Sequence, residues 1–455
     1  MKKNNYILIT VSLLSALPLL FGSTLASAKE KNNKDGFKHA PKNIIVMISD
    51  GCGYNQVDAA SIYQYGKIGV QVYEHFPVEL AMATFMDLGS YDPEMAWENF
   101  EYAKNGATDS AAAATAMSTG YKTYGGAIGV DVNGEPLIHA MELAEERGMA
   151  TGVITSVEWS HATPAAFVAH NVSRSNYTEI AQEMVYESAV DVIMGCGHPW
   201  YDADGNWKDI PNTFKYVGGE TTWDDLVAGI AGGDADGDGI EDPWTLIETR
   251  SEFQSLMEGD TPERVIGIAQ VYQTLQEGRS GDDKADPYVV PLIDTVPTLE
   301  EMTKAALNIL DNDPDGLFLM VEGGAVDWAG HGNESGRVIE EEIDFNRSVE
   351  AVVEWVKHYS NWGETLMIVT GDHETGYLTG PGSNPDWMPL ENNGAGNLPG
   401  MEWNSGSHTN QLIPFYAKGR GAKLFRKDED MMSDPVRGDY IDNTIIAETI
   451  IGLID

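Results

Sequence analysis

The chain reads as an α/β protein: a large, mostly parallel central sheet flanked by helices on both faces, with surface insertions. Three observations predict this. Short, continuous apolar runs recur along the chain, the pattern of strands buried on both faces. Stretches of helical periodicity alternate with them. Three of the runs, NIIVMIS (Asn43–Ser49), LFLMV (Leu317–Val321) and TLMIVT (Thr365–Thr370), lead to a carboxylate at their exit: Asp50, Glu322 and Asp372. Open α/β sheets bind ligands beyond the carboxyl ends of their strands, so the repetition marks one place.

The first 28 residues read as an export signal. Lys2 and Lys3 precede a largely apolar run, Tyr6 to Phe21, and Ala26-Ser27-Ala28 supplies a small-residue cleavage pattern. Pro18 and that pattern argue against a retained anchor, and no later run is long and apolar enough to span a bilayer. The expected protein is periplasmic or secreted, with 29–455 as a single domain whose leader, 29–41, is polar and loose. A net charge of −43 argues against nucleic acid or an anionic membrane as partner, because both need a basic surface. Only two cysteines occur, Cys52 and Cys196, and two free thiols are expected.

A helical stretch and a strand near Leu80–Met86 follow Asn43–Ser49. Thr108-Asp109-Ser110 then opens the run AAAATAMSTG. Alanine is the best helix former, so Ser110 falls in the first turn of a helix capped by Thr108 or Asp109. The free N–H groups of such a terminus favour anions. Ser110 is either a nucleophile toward phosphate or a capping residue. Pro136–Gly148 reads as an amphipathic helix and Thr151–Ser156 as a strand leading to His161 and Thr163. Arg174 is either a surface ion-pair partner or a bidentate clamp on phosphate oxygens.

Helix 176–189 and strand 190–194 continue the alternation. Segment 197–245, rich in Gly, Asp and Trp, reads as an insertion. Its Asp234, Asp236 and Asp238 have the alternate spacing of a calcium loop, but Thr245 stands where the bidentate Glu belongs. Weak Ca2+ binding is the most this run offers, and a solvated turn is the simpler reading. Helices over Thr261–Leu275 and Thr298–Asp311 lead into the Leu317 strand. Beyond Glu322, Asp327 and His331 stand four residues apart and share a face if the segment is helical. A long helix, Arg337–His358, precedes the Thr365 strand, which exits into Asp372-His373. Residues 376–405 read as a crown-like excursion over the site, before His408, strand 412–417 and helix 442–453.

Carboxylate with imidazole suits zinc, and carboxylate with hydroxyl and water suits magnesium. In order, Asp50, Asp109-Ser110-Ala111, Thr163-Pro164-Ala165, Arg174, Glu322, the Asp-x-x-x-His at Asp327 and His331, Asp372-His373 and His408 resemble the alkaline phosphatases. Each motif alone is weak; the ordered set, spanning nearly the whole mature chain, is specific. The resemblance implies hydrolysis of small phosphate monoesters through a covalent phosphoserine on Ser110. It implies one zinc on Asp327, His331 and His408, a second on Asp50, Asp372, His373 and Ser110, and a magnesium on Asp50, Thr163 and Glu322 with His161 nearby. Arg174 would clamp phosphate, with Asp109, Trp328 and His161 beside it.

His161 and Trp328 stand where the best-known bacterial pattern has Asp and Lys, and they resemble the pair in some marine bacterial members. His161 puts the identity of the third metal in question, and Trp328 removes a charge that would hold phosphate. The resemblance implies a homodimer, and divergent insertions leave a monomer open. A metal-dependent phosphodiesterase of the same superfamily would have Thr as nucleophile and no arginine clamp. A non-catalytic exported metal or phosphate binder would have lost Ser110 or a ligand, and none is missing.

Overall fold

The computed structural model describes residues 40–235, 239–427 and 431–454. The signal at 1–28, all but the end of the 29–41 leader, and Asp236 and Asp238 of the acidic run lie outside them. The strands are β1 Asn43–Ser49, β2 Val78–Ala83, β3 Ala150–Glu158, β4 Val192–Cys196, β5 Thr245–Ile247, β6 Val265–Ile268, β7 Leu317–Gly323 and β8 Thr365–Gly371. Two short ribbons follow, β9 Glu374–Thr375 with β12 His408–Thr409 and β10 Leu378–Thr379 with β11 Glu402–Trp403. The chain closes on β13 Ile413–Gly419, β14 Met432–Asp434 and β15 Gly438–Asp442.

Eleven strands form one sheet in the order β14-β15-β2-β13-β8-β1-β7-β3-β4-β6-β5. Neighbours from β8 to β5 are all parallel, while β13 runs antiparallel to both β8 and β2. β1 lies near the middle and is buried along its length, which is why its sequence is apolar at every position but its ends. Ile44, Val46 and Ile48 face one core, with Ala111, Ala114 and Met117 of the Ser110–Thr119 helix. Ile45 and Met47 face the other, with the Leu299–Leu310 and Ser335–Tyr359 helices. Helices thus cover both faces, as the apolar runs require. Among the described residues, no helix is long and apolar enough to cross a membrane.

Two expected helices differ. Thr261–Leu275 contains no helix; Val265–Ile268 is β6, paired between β4 and β5. Its β-branched residues suit a strand buried on both faces. The Pro136–Gly148 helix begins only at Ala140 and ends at Glu146, because Pro136 bridges to Val130 and His139 opens the first turn, its N–H bonding Glu142 at 2.7 Å. Both insertions are packed. Val217, Trp223, Leu226 and Trp244 of 197–245 join the core on one face, and the segment ends in β5 at the sheet edge. In 376–405, Leu378 with Leu390, Leu398, Met401 and Trp403 packs on Ala59, Ala60, Ile339 and Ile343. Cys52 and Cys196 are free and buried. Asp234 accepts the N–H of Gly239 at 2.9 Å, a turn contact.

Candidate active site

The adjacent strands β8, β1 and β7 end at one level, and β3 runs alongside β7 up to that level and on to Glu158. Ser49 of β1 is in register with Gly371 of β8 and Gly323 of β7, and Thr155 of β3 with Glu322. Asp50, Asp372 and Glu322 therefore emerge side by side, each fully buried. Gly51, at φ +74°, lets the β1 exit touch the next element: a Cβ there would lie 2.6 Å from the Asp327 Cα. That element is the Ala325–Gly332 helix, which places Asp327 and His331 on one face as their spacing predicts.

Ser110 opens its helix and Asp109 is the cap, accepting from the Ala112 N–H at 3.1 Å. The Ser110 hydroxyl is buried and lies 3.3 Å from His373 Nε2. Asp109 also accepts from the Gly126 N–H at 3.1 Å and pairs with Arg174 Nη1 at 3.1 Å. The other terminal nitrogen of Arg174 meets His161 Nε2 at 3.1 Å. Trp328 packs edge-on to the His161 ring, 6.0 Å between centroids. Thr163 is buried beside Glu322. The structure thus brings together every site residue proposed from the sequence, with the His331 side chain the most open at 42% exposed.

Two residues the sequence reading passed over support this frame. The Thr155 hydroxyl donates to Glu322, and that of Thr375 to Asp327. Thr155 was legible in principle: it precedes the strand end and points to the Glu322 face. Thr375 was not, since its approach depends on β9 pairing with β12.

The electrostatics are those of a buried acid cluster. Burial, then the charges of Asp372, Asp327 and Glu322, pushes the Asp50 carboxyl well above its usual range. Burial pushes Glu322 up to about 7 and Asp372 up to about 6. Burial, then the Arg174 charge, lowers His161 to about 3, so its ring is neutral. Both Asp50 oxygens, Asp372 Oδ2, Glu322 Oε1 and His161 Nδ1 are buried without a hydrogen-bond partner, a costly arrangement for polar atoms.

The histidines are arranged as metal ligands are. His331 Nδ1 donates to the Gly406 carbonyl and His408 Nδ1 to the Thr108 carbonyl, each at 2.8 Å. Those bonds orient the two rings and leave their Nε2 atoms facing each other at 3.0 Å. Asp327 lies 3.5 Å from the first and 3.4 Å from the second. Donor atoms within 4.8 Å of one another form three groups here: Asp327, His373 and His408; Asp50, Asp372 and His373; and Asp50, His161 and Glu322. Each group joins imidazole to carboxylate, the first with two histidines and the other two with two carboxylates, a donor set that fits cations. A similar group elsewhere, His139, Glu142 and His170, is built on a stacked ring pair, 4.3 Å between centroids, in which His170 Nδ1 meets Glu183 at 3.2 Å and its Nε2 the Leu137 carbonyl at 2.8 Å.

The alkaline phosphatase family model matches residues 41–401. The chain belongs to the alkaline phosphatase family. It is 30% identical over 398 residues to alkaline phosphatase 3 of Bacillus subtilis (strain 168), covering 85% of this chain and 73% of the relative. Against the alkaline phosphatase of Escherichia coli (strain K12) it is 29% identical over 365 residues, 75% of this chain and 72% of that one. The crystal structure of a cold-active alkaline phosphatase from a psychrophilic Shewanella shares the fold, with a TM-score of 0.65 at 24% identity over 91% of this chain and all of that one. The protein is accordingly an enzyme of the phosphoric monoester hydrolase class, and family and fold together support phosphomonoester hydrolysis at a metal-dependent site.

Proposed function

We propose that the protein hydrolyses phosphate monoesters to alcohol and inorganic phosphate with Ser110 as the nucleophile. The observation that carries this reading is the placement of Ser110. Its hydroxyl stands at a helix N-terminus, 3.3 Å from His373 Nε2, and its capping neighbour Asp109 anchors the one arginine at the site. In the first step Ser110 Oγ bonds to phosphorus and loses its proton, while the alcohol oxygen leaves with the bonding electrons and is protonated by solvent. In the second, a water oxygen bonds to phosphorus and Ser110 leaves as its hydroxyl.

Arg174 gives one N–H from each terminal nitrogen to Asp109 and His161, which holds the guanidinium plane and keeps the remaining N–H groups for phosphate oxygens. The residues that would hold metal are Asp327, His331 and His408 for one zinc, Asp50, Asp372, His373 and Ser110 for a second, and Asp50, Thr163 and Glu322 for a magnesium. When bound, such ions stabilise charge on the reacting oxygens and lower the pKa of a hydroxyl or water. His161 Nε2 accepts from Arg174, so the neutral ring carries its proton on Nδ1. Asp50, Thr163 and Glu322 supply the oxygen set that magnesium prefers.

We also read the chain as one catalytic domain, exported, acting on small monoesters as a homodimer or monomer, with no call on nucleic acid or membrane. The test is hydrolysis of a monoester, a diester and a sulfate ester at pH of about 9–10, before chelation, after it, and after zinc and magnesium are returned. Monoester turnover that needs both metals and disappears in Ser110→Ala supports the proposal. Dominant diester cleavage, or full turnover by Ser110→Ala, refutes it.

A further inference from the structure

Across His161 and Tyr177 from Arg174, the 197–245 segment contributes a cation that pairs with no described carboxylate. Lys215 is exposed, and its Nζ stands 4.7 Å from the centroid of the Tyr177 ring and 4.5 Å from that of Tyr216. The two rings meet edge to face, 4.9 Å between centroids. Tyr216 is buried and Tyr177 half-buried, so the aromatic base is fixed while the ammonium stays in water. On its other side Tyr177 lies 6.4 Å from the His161 ring, and His161 touches Arg174. The order across the site is Arg174, His161, Tyr177, Lys215.

In a chain with 71 acidic and 28 basic residues, such a lysine is unusual: it makes no ion pair with a described carboxylate. Glu158, an acid that feels its charge, is buried and accepts from Gln273 at 2.7 Å. Cation–π contact orients an ammonium without cancelling its charge, so Lys215 is held in position with its donors free. An overall charge of −43 repels a dianionic ester, which gives a fixed positive group two rings from the clamp weight beyond its single charge.

We propose that Lys215, positioned by Tyr177 and Tyr216, forms a subsite for a second negative charge on the substrate. The enzyme thereby favours monoesters whose alcohol carries a further phosphate or a carboxylate. This rests on the phosphomonoesterase reading and names the substrate class within it.

A matched pair of probes separates the two: phenyl phosphate and 4-carboxyphenyl phosphate, which differ by one anionic group. Turnover of phenyl phosphate by the metal-loaded wild type tests the phosphomonoesterase reading alone. The subsite is read from the ratio of kcat/KM for the charged ester over the neutral one. Lys215→Met is expected to lower that ratio about 2- to 5-fold, the range of a water-exposed ion pair, through KM rather than kcat. Lys215→Arg, which keeps both the charge and the ring contact, is expected to restore it. Raising the salt to about 1 M should erase the preference in the wild type. A ratio unmoved by Lys215→Met, or a salt-independent preference, overturns the proposal.

Discussion

Replacing Asp109 separates two jobs that the structure assigns to one carboxylate. It caps the Ser110–Thr119 helix through the Ala112 N–H, and it pairs with Arg174 at 3.1 Å. Asp109→Ala removes both. Loss of an N-cap costs about 0.5–2 kcal/mol. The Arg174 and Asp109 side chains are 24% and 25% exposed, so the usual ~1.5–3 kcal/mol for a charged hydrogen bond is discounted for solvent screening to about 1 kcal/mol. Asp109→Ala should therefore lose about 1.5–3 kcal/mol in urea unfolding of the metal-loaded enzyme. With Arg174 held only by His161, KM for a monoester should rise about 5-fold. Asn caps a helix as well as Asp does, so Asp109→Asn should recover the capping share of the stability, about 0.5–2 kcal/mol, while keeping most of the KM defect. Equal stability losses in the two variants, or an unchanged KM in Asp109→Ala, would refute this division of roles.

The remaining predictions concern other parts of the molecule. Trp328→Lys returns a positive charge beside the clamp and should strengthen product inhibition by phosphate about 2- to 5-fold; an unchanged inhibition constant counts against Trp328 as the cause of loose product binding. Arg279 pairs with Glu340 at 2.6 Å, both side chains at most 5% exposed, and donates to the carbonyls of Gln276, Val290 and Pro291. Arg279→Met leaves the buried Glu340 with only the longer Arg337 pair at 3.7 Å and should cost about 3 kcal/mol, the lower end for a broken buried pair, seen as a drop in Tm. Glu145, whose carboxyl burial raises from 4.5 to about 7, bonds the Thr151 hydroxyl. It is neutral in both folded and unfolded chains below pH 4.5, and its burial penalty grows as pH rises to about 7 and is complete above. Glu145→Gln, which keeps the acceptor, should then stabilise the fold by about 1–2 kcal/mol at pH 8 and by much less at pH 4.5; a pH-independent effect would exclude this cause.

Much of this architecture was legible because burial on both faces leaves strands little choice of residue. β1 runs from Asn43 to Ser49 as its apolar run does, and β8 extends Thr365–Thr370 by only Gly371. The misread stretch at Thr261–Leu275 shows where periodicity fails. VIGI within TPERVIGIAQVYQTLQ satisfies helical spacing, but Gly267 lies against Phe253, where a Cβ would approach the ring to 2.5 Å. Only the packed structure reveals that close approach, and it belongs to a strand. At the site, the ligand-type residues were readable because each lies just beyond a strand or on one helical face. Thr375 and Lys215 were not, since their roles depend on a ribbon pairing and on a lysine meeting two tyrosines from different segments. Neither arrangement leaves a local pattern.

The place of β1 in the sheet also sets a timetable. It is the first strand of the chain, yet its two partners are β7 and β8, whose residues begin at Leu317 and Thr365. A chain emerging in order carries its NIIVMIS segment with no native partner until some 270 residues more have appeared, and pairings over such separations close slowly. Asp50 waits with it, so no cation pocket exists before the last third of the chain arrives. Until then the segment is an apolar strand open to the wrong neighbour. Keeping it from self-association is thus a demand on the cell's folding machinery, imposed by strand order alone.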